Sequence, residues 1–518
     1  MSETKVKSPR DKGPRAETKT RGSKMASKAK STKKTAAKKP KMKGTVFTAN
    51  VAGMPINKPF VLALTSFCKL NHYNLQVLET RPVFKDETVV WDGIPVESRI
   101  GLDVKEIRLN NNCRVLQLGV SPMAVEPTGG IATDTRESVI VASPKQTMKT
   151  VPNMERLPRL LISTGSINFP VYPSGTKAGE MARRQHFCGA YLIEVKDSEV
   201  FFPFNLQAFS DGSFVHLGKR YHSNGKVSKL SRKEIMRTDG DDHAAENDAK
   251  VTAVLDSIQK NEVPAWCKMS HDTWSQSVSN HHALGMRITA AKMVAAGLYK
   301  VEQEIDITHK FLAERSKLFD QIVVVPANHN EALDRMLEDG RYLFEKENWL
   351  PGHILSLAKY HGVDPVKFAT SHYADFAKVM GSYFANIKND QASDFKLSTK
   401  TSLEKVKFLK KGQSFRFGGI EHGYHGDEGG NGAKGSPKAM RAIHGDSVSG
   451  HTHTPTLYNR SGVVGTSTAT PEKENAPGYC KGKPSGWMNS FMFTYAPADL
   501  KGEGSIQLCN IIGYEWHV

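Results

Sequence analysis

Five short clusters in the second half of the chain hold residue types that can do chemistry. Gly240-Asp241-Asp242-His243 sets an Asp and a His two residues apart, so at a strand end both can face one metal ion. In Met269-Ser270-His271-Asp272-Thr273-Trp274, the two oxygens of Asp272 can each take one cation. Ala327-Asn328-His329-Asn330 closes the β-branched run Ile322-Val323-Val324-Val325; the Asn328 carbonyl oxygen can bind a metal while His329 projects to the opposite side as a proton donor. Glu421-His422-Gly423-Tyr424-His425-Gly426-Asp427-Glu428-Gly429-Gly430-Asn431-Gly432 is a glycine-rich loop whose backbone can approach phosphate closely. Gly450-His451-Thr452-His453 supplies two histidines that can each bind a different metal of a pair. Singly these are weak signals, because acidic loops and plain turns have the same composition. Their weight lies in all five occurring together, most of them behind a plausible strand.

The elements that must position them have a recognisable texture. From Glu234 onward, strands alternate with long helices, the mark of a layered α/β domain. Leu284, Ile288, Ala291, Val294, Leu298, Val301 and Ile305 recur at three- and four-residue steps and predict one amphipathic helix over 283–319, feeding the strand at 322–325. A second helical stretch is expected over 352–386, with Pro365 interrupting it or opening its second helix. Upstream, 45–152 reads as a mixed α/β unit with a helix at 60–67 and strands at 75–78, 113–118 and 138–141. Residues 153–232 read as β-rich, with turns at Asp211-Gly212 and Asn224-Gly225. Arg183, Arg184, Lys219 and Arg220 lie there among aromatic residues, a pattern that lines nucleic-acid grooves and equally describes a solvated sheet face.

At 518 residues the chain has material for two or three domains. Its net charge is +18, but residues 1–44 hold 16 Lys or Arg against three carboxylates, leaving only +5 for the rest. This tail, including Lys33, Lys34, Lys38 and Lys39, lacks large apolar residues and is expected to be disordered. It can serve as a solubilising leader or, as the downstream chemistry favours, as a phosphate-backbone binder acting by counterion release. The six cysteines contain no C-x-x-C pair, which argues against a disulfide framework or thiolate zinc site and leaves His, Asp and Asn as metal ligands. Neither a secretory signal nor a membrane-spanning run is present, so a soluble protein in the cytoplasm is expected, without membrane association.

The order Gly-Asp-x-His, Asp, Asn-His, His-Gly, Gly-His-x-His resembles the calcineurin-like metallophosphoesterase superfamily, over roughly 234–518. The resemblance implies a four-layer α-β-β-α catalytic domain over 233–518, preceded by accessory regions 45–152 and 153–232 and by the tail. It also implies a site: Asp241 and His243 with His453 on one metal, Asp272 bridging, and Asn328, His425 and His451 on the other. His329 would be the catalytic histidine. His425 is preferred to His422 because it runs directly into the glycine loop. A narrower likeness is carried by Asn328–Arg335, by 425–436 and by Gly450–Pro455 with Val463–Ser467. These segments look like the early host-DNA-degrading metallophosphoesterases of tailed bacteriophages, the T-five group included. Two departures stand out: His271 occupies a place where the superfamily usually has Gly, and Asn330 one where it usually has a carboxylate.

The resemblance therefore implies a metal-dependent DNase of low sequence specificity. Two divalent cations would activate a water; the nuclease branches of the superfamily point to manganese, with magnesium, iron and zinc compatible. DNA is the expected partner, with a homo-oligomer as a further option. The alternatives are a phosphomonoesterase or phosphoprotein phosphatase on the same fold, and a DNA-binding host-takeover protein with a degenerate site.

Overall fold

The computed structural model describes residues 44–154, 157, 159–275, 287–295, 299–388, 403–429, 435–470 and 484–517. The basic tail, the Asn280-His281-His282 group and the centre of the glycine loop at 430–434 lie outside the described residues. The architecture is mixed α/β, built on sheets that combine parallel and antiparallel pairs.

The central sheet has six strands, in the order Val406–Phe408, Gln321–Val324, Cys267–Ser270, Ile235–Asp239, Asn489–Tyr495, Ser505–Ile511. The first four run parallel and the last two antiparallel to their neighbours. Parallel strands buried on both faces should be continuous apolar runs, and Ile322-Val323-Val324 is one. Ile235–Asp239 is not: Arg237 and Asp239 are both buried, their charges paired at 2.6 Å. One face packs against the helices Ala249–Ser257 and Val301–Ser316 through Val251, Leu255 and Leu312, in the same core as Ile322, Phe491 and Phe493. From the other face Met492 and Leu508 meet Met148, Ile162, Val448 and Leu457 of a second sheet.

That second sheet has eight strands and draws on both halves of the sequence: Glu106–Asn110, Cys113–Leu116, Ser138–Val141, Arg159–Gly165, Ser143–Val151, Thr456–Tyr458, Ser461–Val463 and Val448–Ser449. A five-stranded sheet built from Gly44–Val51, Tyr73–Thr80, Arg99–Ile100, Gly189–Val195 and Phe201–Gln207 adds Phe47, Tyr191 and Ile193 to the same core. Buried amides join the sheets. Asn205 donates to the Ile506 carbonyl (2.7 Å) and accepts from the Leu508 N–H (2.9 Å), while Gln207 accepts from the Ile506 N–H (3.0 Å). Among the described residues, the segments read from sequence as separate units at 45–152, 153–232 and 233–518 thus share a sheet and two cores and form one packing unit. Local pattern gives no warning, because the joining contacts span some 300 residues.

Two local expectations need correction. The helix predicted over 283–319 is two, Arg287–Ala295 and Val301–Ser316, separated by extended backbone at Lys300. Tyr299 is drawn into a helical core with Trp274 and Leu355, and the Asn348 side chain accepts from the Val301 N–H (2.8 Å). Of the stripe, Ile288 and Val294 are exposed (75 % and 50 %) and Val301 and Ile305 are buried, while Leu284 and Leu298 lie outside the described residues. The strand expected at 322–325 ends at Val324, and Asn328 and His329 open the helix Asn328–Glu338 instead of sitting on a turn. Pro365 does open a helix, Pro365–Ser371, capped by Asp364.

Candidate metal centre

The parallel strands Ile235–Asp239, Cys267–Ser270 and Gln321–Val324 are in register, so their carboxyl ends share one edge of the central sheet. The first three clusters leave from that edge, where ligands gather in open α/β sheets. Beyond the strands the backbones stay paired: Asp242 N–H donates to His271 O (2.9 Å) and His243 N–H to Asp272 O (2.8 Å). On the other side Asp241 N–H donates to Gly465 O (3.1 Å). The last cluster arrives from the second sheet, following Val448–Ser449, and Gly450 N–H donates to His425 O (2.8 Å). A Cβ on Gly450 would lie 2.1 Å from Asp241 Oδ1, so glycine here leaves the Asp241 carboxylate its place.

Asp241, His243, Asp272 and His453 are buried and bring one ligand atom each within 4.8 Å of the others. His243 Nε2 and His453 Nε2 are 3.1 Å apart, and His453 Nε2 lies 3.2 Å from Asp241 Oδ2. His243 Nε2 lies 3.8 Å from Asp272 Oδ2. Such separations suit ligand atoms sharing one ion at about 2.1 Å. Asp241 Oδ1, His243 Nδ1, Asp272 Oδ1, Asn328 Oδ1 and His453 Nδ1 are buried without a hydrogen-bond partner among the described residues, a concentration that stable interiors avoid. The donor set is oxygen and imidazole. These residues fit a divalent ion.

The backbone is bent to make the cluster. His243 (φ 40°), Asp272 (φ 42°), His451 (φ 80°) and His453 (φ 57°) all occupy the left-handed region, which costs a non-glycine residue energy and is found where function demands it.

Around this group stand the other predicted residues. His425 Nε2 lies 3.0 Å from Asp272 Oδ2, whereas His422 Nε2 faces Thr494 Oγ1 (3.4 Å). The His451 ring is 5.2 Å from that of His425, and its backbone N–H donates to Asp241 Oδ2 (2.7 Å). His329 presents Nε2 4.0 Å from Asp272 Oδ2 and is the most exposed of the ionisable groups facing Asp272, at 18 %. Its Nδ1 meets the Ser275 carbonyl, which can only accept, so Nδ1 carries the hydrogen. The Ser275 carbonyl thus holds the ring in the tautomer with Nε2 free of hydrogen when neutral.

The charges are strongly coupled. Burial would raise the Asp272 pKa, but His425, His329 and His243 hold it well below the carboxylate range. Burial would lower His425, yet Asp272 and Asp241 raise it to about 9. Burial, with His329 beside it, takes His243 down to about 3.

Two supports were not read from the sequence. Asp242 points into a buried network in which Lys268 Nζ lies 2.8 Å from its carboxylate and 3.4 Å from Asp239. This fixes the loop, so that Asp241 and His243 on either side face the site. Glu421, also buried, accepts from the N–H groups of Phe415, His422 and Gly423 (2.8, 3.1 and 2.8 Å) and shapes the turn carrying His425. The sequence signal for the network was the unusually polar strand Ile235–Asp239.

The candidate DNA-binding residues are dispersed. Arg183, Arg184 and Lys219 are exposed, but Arg220 is buried and held by Asp211 (2.7 Å) and Asp499 (2.6 Å), so it is a structural ion pair and not a groove contact. Beside His425 lies a cavity of about 480 Å³ with Asp334, Asp364 and Asp427 in its wall.

No protein-family model matches the chain, and no solved structure matches it. It is similar to Protein A1 of Escherichia phage T5, with 29 % identity over 434 residues that cover 78 % of this chain and 71 % of that one. Among the described residues, no helix is long and apolar enough to cross a membrane.

Proposed function

We propose that this chain, which is similar in sequence to Protein A1 of Escherichia phage T5, is a phage enzyme that hydrolyses DNA phosphodiesters at a dinuclear metal site. The observation that carries the reading is the buried Asp241–His243–Asp272–His453 cluster, with His425 and His451 beside it and the buried, unpartnered Asn328 Oδ1 next in the chain to His329. Together with the layered α/β core, it supports the calcineurin-like metallophosphoesterase assignment. Asp241, His243 and His453 would hold one divalent cation, manganese by preference, Asn328, His425 and His451 a second, with Asp272 between them. When bound, such a pair lowers the pKa of a water and neutralises charge on the scissile phosphate.

The chain's own residues supply the rest. Asp241 and Asp272 keep their negative charge despite burial, since neighbouring histidines hold both below the carboxylate range. His329, with Nδ1 tied to Ser275, turns Nε2 to the site edge, where it can place a proton on the leaving oxygen. The basic tail, Arg183, Arg184 and Lys219 would grip the backbone without reading bases.

The test is conversion of supercoiled plasmid to nicked, linear or shortened DNA in Mn2+. Wild type should cleave and be silenced by EDTA. His329→Ala should lose about 100-fold or more in rate, within the range for a general acid. Hydrolysis of a small phosphomonoester with intact plasmid would favour the phosphatase reading instead.

A further inference from the structure

Two histidines that the proposed reaction does not use, His271 and His422, are completely buried behind the site. An imidazole is a poor choice for a dry core unless its nitrogens are needed. The resemblance would place Gly at position 271. Here the ring stacks on His425, with centroids 5.5 Å apart and planes 28° apart, and its Nδ1 lies 3.4 Å from His425 Nδ1. His271 Nε2 and His422 Nδ1 have no hydrogen-bond partner among the described residues, while His422 Nε2 faces Thr494 Oγ1 at 3.4 Å.

We propose that His271 is a positioning residue for His425, the first link of a buried imidazole chain running through His422 to Thr494. The inference rests on the reading of His425 as a metal ligand. Tautomer logic fixes the direction. To offer a lone pair beside Asp272, His425 must leave Nε2 bare and carry its hydrogen on Nδ1. That N–H donates to His271 Nδ1, so His271 carries its hydrogen on Nε2. The next ring needs a free acceptor, and His422, which has His271 as its electrostatic neighbour, offers Nδ1; since the two atoms do not bond directly, one buried water would close the link. His422 Nε2–H then donates to Thr494 Oγ1. Every ring donates away from the site, and the two unpartnered atoms are one donor and one acceptor, as the chain requires. A glycine at 271 would leave His425 Nδ1 facing space and its ring free to turn.

The test is Mn2+ binding by titration calorimetry on the full-length protein, with thermal melting of the EDTA-treated protein in parallel. His271→Leu should weaken Mn2+ binding about 10- to 100-fold, the usual effect of losing a partner behind a ligating histidine. Its metal-free melting temperature should be unchanged or higher. His271→Asn, whose Oδ1 takes the place of Nδ1, should restore binding to within about threefold of wild type. Should His271→Leu fail to fold, His422→Leu carries the same prediction with a smaller loss. Wild-type affinity in His271→Leu, or His271→Asn as weak as His271→Leu, would overturn the proposal while leaving the metal site standing. Absence of Mn2+ binding by wild type would instead overturn the metal reading on which it rests.

Discussion

His425 shows how much one side chain takes from its neighbours. Burial opposes its charge, yet Asp272 and Asp241 raise its pKa to about 9. In the unfolded chain it would titrate near 6.5. Because the folded value is the higher one, its contribution to metal-free stability is complete below pH 6.5 and is lost as pH rises toward 9. EDTA-treated wild type should therefore lose melting temperature across that window, and His425→Gln should flatten the decline. Parallel slopes in the two proteins would remove His425 as the cause. The same proton must leave before Nε2 can bind a cation, so Mn2+ binding at pH 7.5 should release protons, read by calorimetry in buffers of different ionisation enthalpy. The candidate ligands were legible at this scale because Asp-x-His and His-x-His spacings are local. His271 was not, since what makes it useful is a ring 154 residues away.

Strand ends and loops decide whether those side chains meet. Three parallel strands deliver Asp241, His243, Asp272, Asn328 and His329 from one sheet edge, and a strand of the second sheet brings His451 and His453 down on top. At Gly450 there is no room for a Cβ beside the Asp241 carboxylate. Gly450→Ala should push the Asp241 carboxylate aside and weaken Mn2+ binding by more than about tenfold, the scale on which mispositioned ligands act. Unaltered binding would show that the loops yield without harm. The β-branched run at 322–325 announced its strand, and Pro365 its helix. The placement of Asn328 and His329 in the first turn of a helix was harder to foresee, because their short link from the strand, Val325–Ala327, reads equally as a turn. The split of the 283–319 stripe was also hidden: Tyr299 and Asn348, which make the break, belong to a core assembled from distant helices.

Across the whole molecule, the accessory region and the site-bearing region are one folded body. Asn205 and Gln207 complete the backbone hydrogen bonding of Ser505–Ile511, and the second sheet mixes strands from 106–165 with strands from 448–463. Asn205→Leu strands a buried carbonyl and a buried N–H and should cost about 2–4 kcal/mol, seen as an earlier loss of native fluorescence in urea. The fragment 233–518 expressed alone should fail to form a soluble folded domain; a cooperative, metal-binding fragment would show that the shared sheet is dispensable. Composition and spacing announced an α/β region with a strand edge whose Asp and His residues could hold a metal. They were silent about this union, which rests on pairings between residues hundreds of positions apart.

All of this depends on a cation sitting among Asp241, His243, Asp272 and His453. Anomalous diffraction at the manganese edge, from crystals grown in Mn2+, tests it most directly. A peak is expected within ligand distance of those four side chains, and a second beside His425 and His451, with Asp272 between them. Crystals of the folded protein showing no peak at that edge of the sheet, or Mn2+ bound only elsewhere, would contradict it.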